Sequence, residues 1–316
     1  MEAVTGAPPL PERGLGVAVS GGADSVALLL LAAAAYPGAV RAATFDHGLR
    51  AELAEEAALV AALCAGLDVA HAILPPPPRA AFAGNVQERA RSLRYAALAR
   101  WARAGDIRWV ALGHQRNDVA ETFLMRSRRG SGVGGLAAMR RVRPLEPSSP
   151  SPLLLRPLLD WSREELAAVP KCLGIAVVQD PSNADQRYDR ARIRALIADS
   201  PELVPSRLAL SAQNLRHAED ALDWAFRREA AHCVAEGAEI RFDPAGLPYE
   251  LRRRLVRHAV QHVRTASGIE APWHEQGLDR LVGALDAGDT GTIAGVKASP
   301  KNGQWRFGAA PPRRSH

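Results

Sequence analysis

The sequence predicts an α/β protein: a doubly wound, mostly parallel sheet followed by a smaller, mainly helical domain. Three observations carry this. The apolar run Leu15-Gly16-Val17-Ala18-Val19 has the length and bounds of a buried strand. It leads through Ser20-Gly21-Gly22-Ala23-Asp24-Ser25 into a Leu/Ala segment, Val26 to Ala35, that reads as a buried helix. Further strands expected at 39–45, 67–74 and 107–112 alternate with helices at 51–66, 86–103 and 119–129, the pattern of a parallel sheet covered on both faces. Past Arg143 the alternation stops, and 316 residues suit two domains, placed at 1–200 and 201–316.

The first strand, its turn and its helix form an anion site. Glycine permits φ > 0 and close backbone approach, and the first N–H groups of a helix point into the turn. Ser20 and Ser25 add hydroxyls. Asp24 is the odd member, because a carboxylate beside a phosphate repels it unless a cation bridges them. That argues for a Mg²⁺–nucleotide site, with Ser20, Gly21, Gly22, Ala23, Asp24 and Ser25 on the nucleotide. No Gly-Lys-Ser/Thr follows, so the turn is not a Walker A loop.

The other elements follow in order. Glu52, Glu55 and Glu56 suit the early turns of helix 51–66. Pro75 to Pro78 enforces an extended link. Helix 86–103 carries Arg89, Arg91, Arg94 and Tyr95. After a Pro/Ser loop at 146–152, Ser162 and Glu165 form a capping box for a helix over 162–173. A turn at 180–183, a basic helix at 190–198 and a mostly helical stretch at 203–235 lead to helices at 249–264 and 275–285. Short strands are expected at 292–296 and 304–307. No internal repeat is visible.

Composition narrows the setting. The net charge of +6 favours an anionic partner such as nucleic acid, although with only Lys171, Lys297 and Lys301 as lysines an arginine-biased composition explains it as well. Cys64, Cys172 and Cys233 are far apart and form no C-x-x-C, so neither zinc nor an iron–sulfur cluster is indicated, and a reducing, cytoplasmic setting is expected. Residues 1–13 do not read as a signal peptide, and no apolar run is long enough to span a bilayer.

The second informative stretch is Gly113-His114-Gln115-Arg116-Asn117-Asp118-Val119-Ala120-Glu121-Thr122-Phe123-Leu124. It follows a strand, as do Ser20–Ser25 and Asp46–Arg50, so all three converge beyond the carboxyl edge of the sheet. Asp118 and Glu121 lie three apart on the first turn of a helix and share a face. They suit a substrate ammonium or a metal; on spacing alone, ordinary capping acids explain them better. His114 is a base or merely a helix-start residue.

The six-residue turn resembles the PP-loop of the N-type ATP pyrophosphatases, which cleave ATP between the α and β phosphates and transfer AMP. Within that group the chain resembles the tRNA(Ile)-lysidine synthetase family. The resemblance rests on Asp46-His47-Gly48-Leu49-Arg50, Arg91-x-x-Arg94-Tyr95, G-H-x-x-x-D-x-x-E-T-x-L from Gly113, Arg129-Gly130-Ser131-Gly132, Gly135-Leu136-Ala137-Ala138-Met139, Arg156-Pro157-Leu158, Asp180-Pro181-Ser182-Asn183 and Arg192-x-Arg194, collinear from Gly16 to Ile197. Past Ser200 it is looser and includes Leu251-Arg252-Arg253-Arg254-Leu255.

The resemblance implies a Rossmann-like PP-loop ATPase fold and a ligase. ATP adenylates the C2 oxygen of the first anticodon cytidine of an isoleucine tRNA (CAU anticodon), the ε-amine of free L-lysine attacks C2, and AMP leaves. It implies Asp24, Arg94 and Asp118 as catalytic residues, Gly113 with the turn on ATP, Asp118 and Glu121 on lysine, and Asp24 with Asn117 on Mg²⁺. The family usually has two adjacent Asp residues where this chain has Asn117-Asp118, which weakens the expected metal shell. Arg128, Arg129, Arg190, Arg192 and Arg194 are candidate tRNA contacts, with Arg126, Arg140, Arg141, Arg143, Arg187, Arg252, Arg253, Arg254 and Arg257 as further basic clusters. Two other readings stay open: a tRNA thiolase with the same loop, which usually needs paired cysteines, and a nucleotide-binding relative without catalysis. Whether the chain forms a homodimer is also open.

Overall fold

The computed structural model describes residues 5–46, 53–75, 86–137, 139–146, 151–178 and 189–311. Residues 47–50, the proline link past Pro75 and the 180–183 turn with Arg187 lie outside these. The chain divides into two compact units, Met1–Arg216 and His217–His316.

The first unit holds a six-stranded sheet in the order β3-β2-β1-β4-β6-β5. Its strands are β1 (Leu15–Ala18), β2 (Val40–Phe45), β3 (Ala70–Leu74), β4 (Trp109–Leu112), β5 (Val142–Pro144) and β6 (Leu153–Leu155). All neighbours run parallel except β5, which pairs antiparallel with β6 at the edge. The central strands are apolar throughout because both faces are covered, so they read as continuous runs rather than alternating ones.

Helices α1 (Ala23–Ala35), α2 (Leu53–Gly66) and α3 (Val86–Ala104) make the crossovers. The Leu/Ala surface of α1 is buried with Leu15, Val17, Val40 and Val60 in one core. Helix α3 packs Leu98, Ala99 and Ala102 against Ala43, Val110 and Leu112 in another. Strand order reverses beside β1: the chain runs outward through β2 and β3, then returns to its other side as β4. Ala18 is in register with both Ala43 and Leu112. The residues after β1 and after β4 therefore leave the sheet side by side, where a doubly wound fold opens its ligand crevice.

The expected strands and helices of this half are present; β5 and β6, three residues each, were not expected. Helices α4 (Arg116–Ser127), α5 (Val133–Leu136), α6 (Arg163–Cys172) and α7 (Asp189–Asp199) follow. Helix α6 begins at the capping box read from sequence: Ser162 Oγ accepts from Glu165 N at 3.2 Å, and Leu166 buries against the α1 core.

Helix α8 (Pro205–Ala230) contains the boundary between the units. In the second unit, α9 (Tyr249–Ala266) and α10 (Leu278–Asp286) are the expected helices. They pack against a five-stranded antiparallel sheet, β7-β8-β11-β10-β9, made of β7 (Val234–Glu236), β8 (Glu239–Phe242), β9 (Gly291–Ile293), β10 (Val296–Lys301) and β11 (Gln304–Ala309). Val256, Val260, Leu281, Val282, Trp305 and Phe307 form its core.

Candidate active site

The glycine turn is shaped by crowding on two sides. Gly21 has φ +82°, and a Cβ there would lie 2.7 Å from Val178 Cγ2; the Gly21 carbonyl also accepts from Val178 N at 2.9 Å. Gly113, on the neighbouring strand exit, would bring a Cβ to 2.8 Å from the Asp24 carbonyl oxygen. The two exits touch backbone to backbone. Ser25 braces the turn: its hydroxyl donates to Gly22 O at 2.9 Å and accepts from Ser20 N at 3.1 Å. Ser20 is the exposed hydroxyl of the pair. No side chain caps α1 at Gly22, so its first N–H groups have no intrahelical acceptor and suit a phosphate.

Asp24 stands at the opening of that helix. Burial lifts its carboxyl to about 6, and the Asp118 carboxylate adds to the lift; Arg163, Gln115 and Arg194 pull the other way. The nucleotide turn and the acidic helix therefore share one electrostatic site. Gln115, fully buried, caps α4: its Oε1 accepts from Asn117 N, while Asp118 Oδ2 accepts from Gln115 N at 3.0 Å.

Glu121 is 1% exposed and is held by three guanidinium groups. Arg190 Nε lies 2.7 Å from its Oε2, and Arg194 Nε and Arg163 Nη2 lie 2.9 and 3.2 Å from its Oε1. Arg190 also reaches Asp118 Oδ1 at 2.8 Å. Burial would raise the Glu121 carboxyl, but Arg194 and Arg190 outweigh it and keep it ionised. Three carboxylates, Asp24, Asp118 and Glu121, face three guanidinium groups. Arg190 and Arg194, expected on an RNA surface, turn inward to this ring. Arg128 and Arg129 instead meet Asp189 at 3.1 and 3.0 Å, with Arg192 on the same carboxylate. These three, Arg192 first, hold that carboxyl down at about 2.

His114 lies behind the ring. Its Nδ1 accepts from Arg156 Nε at 3.3 Å, so the ring is neutral with its proton on Nε2. Burial and then Arg156, Arg190, Arg94 and Arg91 hold its proton affinity well below the usual imidazole value. Arg94 is therefore on the His114 side of the site, and its Nε makes no hydrogen bond.

Sequence reasoning missed Arg163 and Gln115. A signal for Arg163 was present: it opens α6, where the helix dipole disfavours a cation, so another charge has to hold it there. Gln115 gave no such signal, because a buried cap looks like any loop amide.

A turn with free helical N–H groups, a carboxylate at its mouth and a cleft at the switch point defines a nucleotide-binding α/β protein of the PP-loop class. The model of the PP-loop domain family matches residues 3–200. Over 303 residues the chain is 45% identical to the tRNA(Ile)-lysidine synthase of Novosphingobium aromaticivorans, covering 95% of this chain and 90% of the relative. It is 39% identical over 317 residues to that of Zymomonas mobilis, covering 99% and 94%. The chain belongs to the tRNA(Ile)-lysidine synthase family, within the PP-loop proteins. Among solved structures, the U34-tRNA thiolase NcsA of Methanococcus maripaludis superposes with a TM-score of 0.53 at 16% identity, over 65% of this chain and 73% of that one. That likeness is one of fold.

Proposed function

We propose that the chain joins lysine to C2 of the first anticodon cytidine of an isoleucine tRNA with a CAU anticodon, using ATP. The observation that carries this reading is the contact of the two strand exits, Gly113 against the Asp24 carbonyl, which brings the glycine turn and the start of the acidic helix together; the Asp118 carboxylate also raises the Asp24 carboxyl. In the first step the C2 oxygen attacks the α-phosphorus and pyrophosphate leaves. In the second the ε-amine attacks C2, and the oxygen departs with AMP. A ring oxygen is a poor leaving group until it carries AMP.

The residues fit both steps. The N–H groups at Gly22 and the start of α1 suit the phosphates, and Arg94 has an unused donor for the same charge. Asp24, an oxygen donor whose ionisation is disfavoured by burial and by a second carboxylate, suits Mg²⁺, with Asn117 as a further oxygen. Mg²⁺ there would supply neutralisation of phosphate charge. Free lysine carries two ammonium groups and one carboxylate; Asp118 and Glu121 complement the former, and Arg163, Arg190 and Arg194 the latter. The attacking amine has to lose a proton. His114 is a weak base with its Nδ1 occupied, and Glu121 is held ionised, which leaves Asp118 as the acceptor. Arg128, Arg129 and Arg192, exposed with net positive charge around Asp189, are the better tRNA phosphate contacts.

The test is incubation with ATP, Mg²⁺, labelled lysine and the tRNA. Label in the tRNA with one AMP per lysine is expected. AMP formation that requires a sulfur donor, or binding without turnover, would overturn the reading.

A further inference from the structure

Tyr95 is 8% exposed; its hydroxyl makes no close hydrogen bond, and the Arg156 guanidinium lies beside it. Its ring gathers cations. The guanidinium carbons of Arg91 and Arg143 each lie 4.9 Å from the ring centroid, and that of Arg94 lies 5.6 Å away. Arg156, 4% exposed, directs its Nη1 to Arg140 O and its Nε to His114 Nδ1, beside the same phenol. Burial would raise the phenol's pKa, yet Arg91, Arg94, Arg156 and Arg143 together bring it below the usual value.

Four guanidinium groups thus meet from three separate stretches: α3, β5 and the segment after β6. Among the described residues no carboxylate lies within ion-pair distance of any of them. An aromatic face attracts each cation through its ring quadrupole. That does not offset the crowding of four like charges, one of them buried and three half-buried, which calls for a counter-ion. The nest sits at the end of β4, with Tyr95 and Leu112 in one cluster and His114 against Arg156. Through His114 it adjoins the segment that leaves β4. Planar, forked donors around one phenol hydroxyl match a phosphate group.

We propose that Tyr95 is a positioning residue that assembles Arg91, Arg94, Arg143 and Arg156 into a clamp for a phosphate group. This deepens the ligase reading and rests on it. The phosphate belongs either to the nucleotide or to the RNA backbone; the chemistry is the same.

The test uses the full chain, with inorganic pyrophosphate as probe in calorimetry and no tRNA or lysine present. Tyr95→Leu removes the ring and is expected to weaken pyrophosphate about tenfold, whereas Tyr95→Phe keeps the ring and stays within about threefold. Turnover then separates the sources. A raised KM for ATP alone assigns the nucleotide, a raised KM for tRNA alone assigns the RNA, and KM for lysine stays unchanged in both cases. Wild-type pyrophosphate affinity in the leucine variant, equal losses in leucine and phenylalanine variants, or a fall in kcat with every KM unchanged would overturn the proposal. Should the leucine variant fail to fold, Arg143→Met carries the same test: a loss of about tenfold supports the clamp, and unchanged affinity overturns it. Pyrophosphate binding is read without turnover, so a failure of the ligase assay remains distinguishable from a failure of the clamp.

Discussion

Two buried ionic hubs mirror each other across the units. In the first, one carboxylate, Glu121, gathers Arg163, Arg190 and Arg194. In the second, one guanidinium, Arg254 at 4% exposure, gathers Glu219, Asp223 and Glu250 at 2.7, 2.7 and 2.8 Å. Burial would lower the Arg254 pKa, but Glu219 and Glu250 outweigh it, so the charge is fully complemented and ties α8 to α9. The Glu121 hub is different. One of its arginines, Arg190, also serves Asp118, and a third carboxylate, Asp24, is left with its ionisation disfavoured. A hub that satisfies every member holds a fold together. One that leaves a member unsatisfied keeps a group ready for a ligand.

The sharpest way to break this comparison is to remove each central charge. Glu121→Gln should lower stability by about 1–3 kcal/mol, because three half-buried guanidinium groups lose the buried carboxylate they share, and should abolish lysine incorporation. Arg254→Met should cost a similar amount but leave ATP binding to the first unit intact. Thermal melts with ATP calorimetry read both. Equal loss of ATP binding in the two variants would erase the distinction.

Asp24→Asn sharpens it further. The Asp24 carboxyl titrates near 6 when folded and near 3.8 otherwise. Its folded state holds the proton more tightly, so ionisation costs stability that is intact below about pH 4 and lost above about pH 6. At neutral pH the asparagine variant should melt higher, by about 1 kcal/mol after solvent screening, while AMP formation is lost. A variant that melts lower would show that Asp24 stabilises the fold.

The same titration gives a milder effect in the native chain. AMP formation should fall towards roughly tenfold per pH unit below about 6, where Asp24 takes up a proton and would no longer hold a cation. Raising Mg²⁺ should move the midpoint to lower pH. A midpoint indifferent to Mg²⁺ would assign the titration to another group. The smallest effect is expected at Ser162→Ala, which removes the α6 cap and should cost about 1 kcal/mol in thermal melts, with activity kept if Arg163 stays in place.

Much of the catalytic half was legible because its main strands are apolar runs of four to six residues followed by turn residues. Leu153–Leu155 was not, since so short a run between Pro152 and Pro157 carries no period, and only its pairing with β4 and β5 makes it a strand. Strand β7 begins at the end of the 203–235 stretch that reads as mostly helical, and β8 carried no signal; Gly237, at φ +62°, turns the chain between them. The site splits the same way. Asp24, Asp118 and Glu121 follow strands or share a helix face, which spacing reveals. The inward turn of Arg190 and Arg194 depends on α7 packing against α4, some seventy positions away in the chain, and a basic helix looks alike whichever way it faces.

Gly113 has an ordinary backbone angle, and nothing in its own conformation asks for glycine. Its demand comes from the main chain of residue 24 pressed against it. Two peptide segments, from widely separated codons, thus share a space too small for a single methyl, and drift at one is constrained by the other. Even alanine there would pry apart the floor on which a nucleotide has to rest.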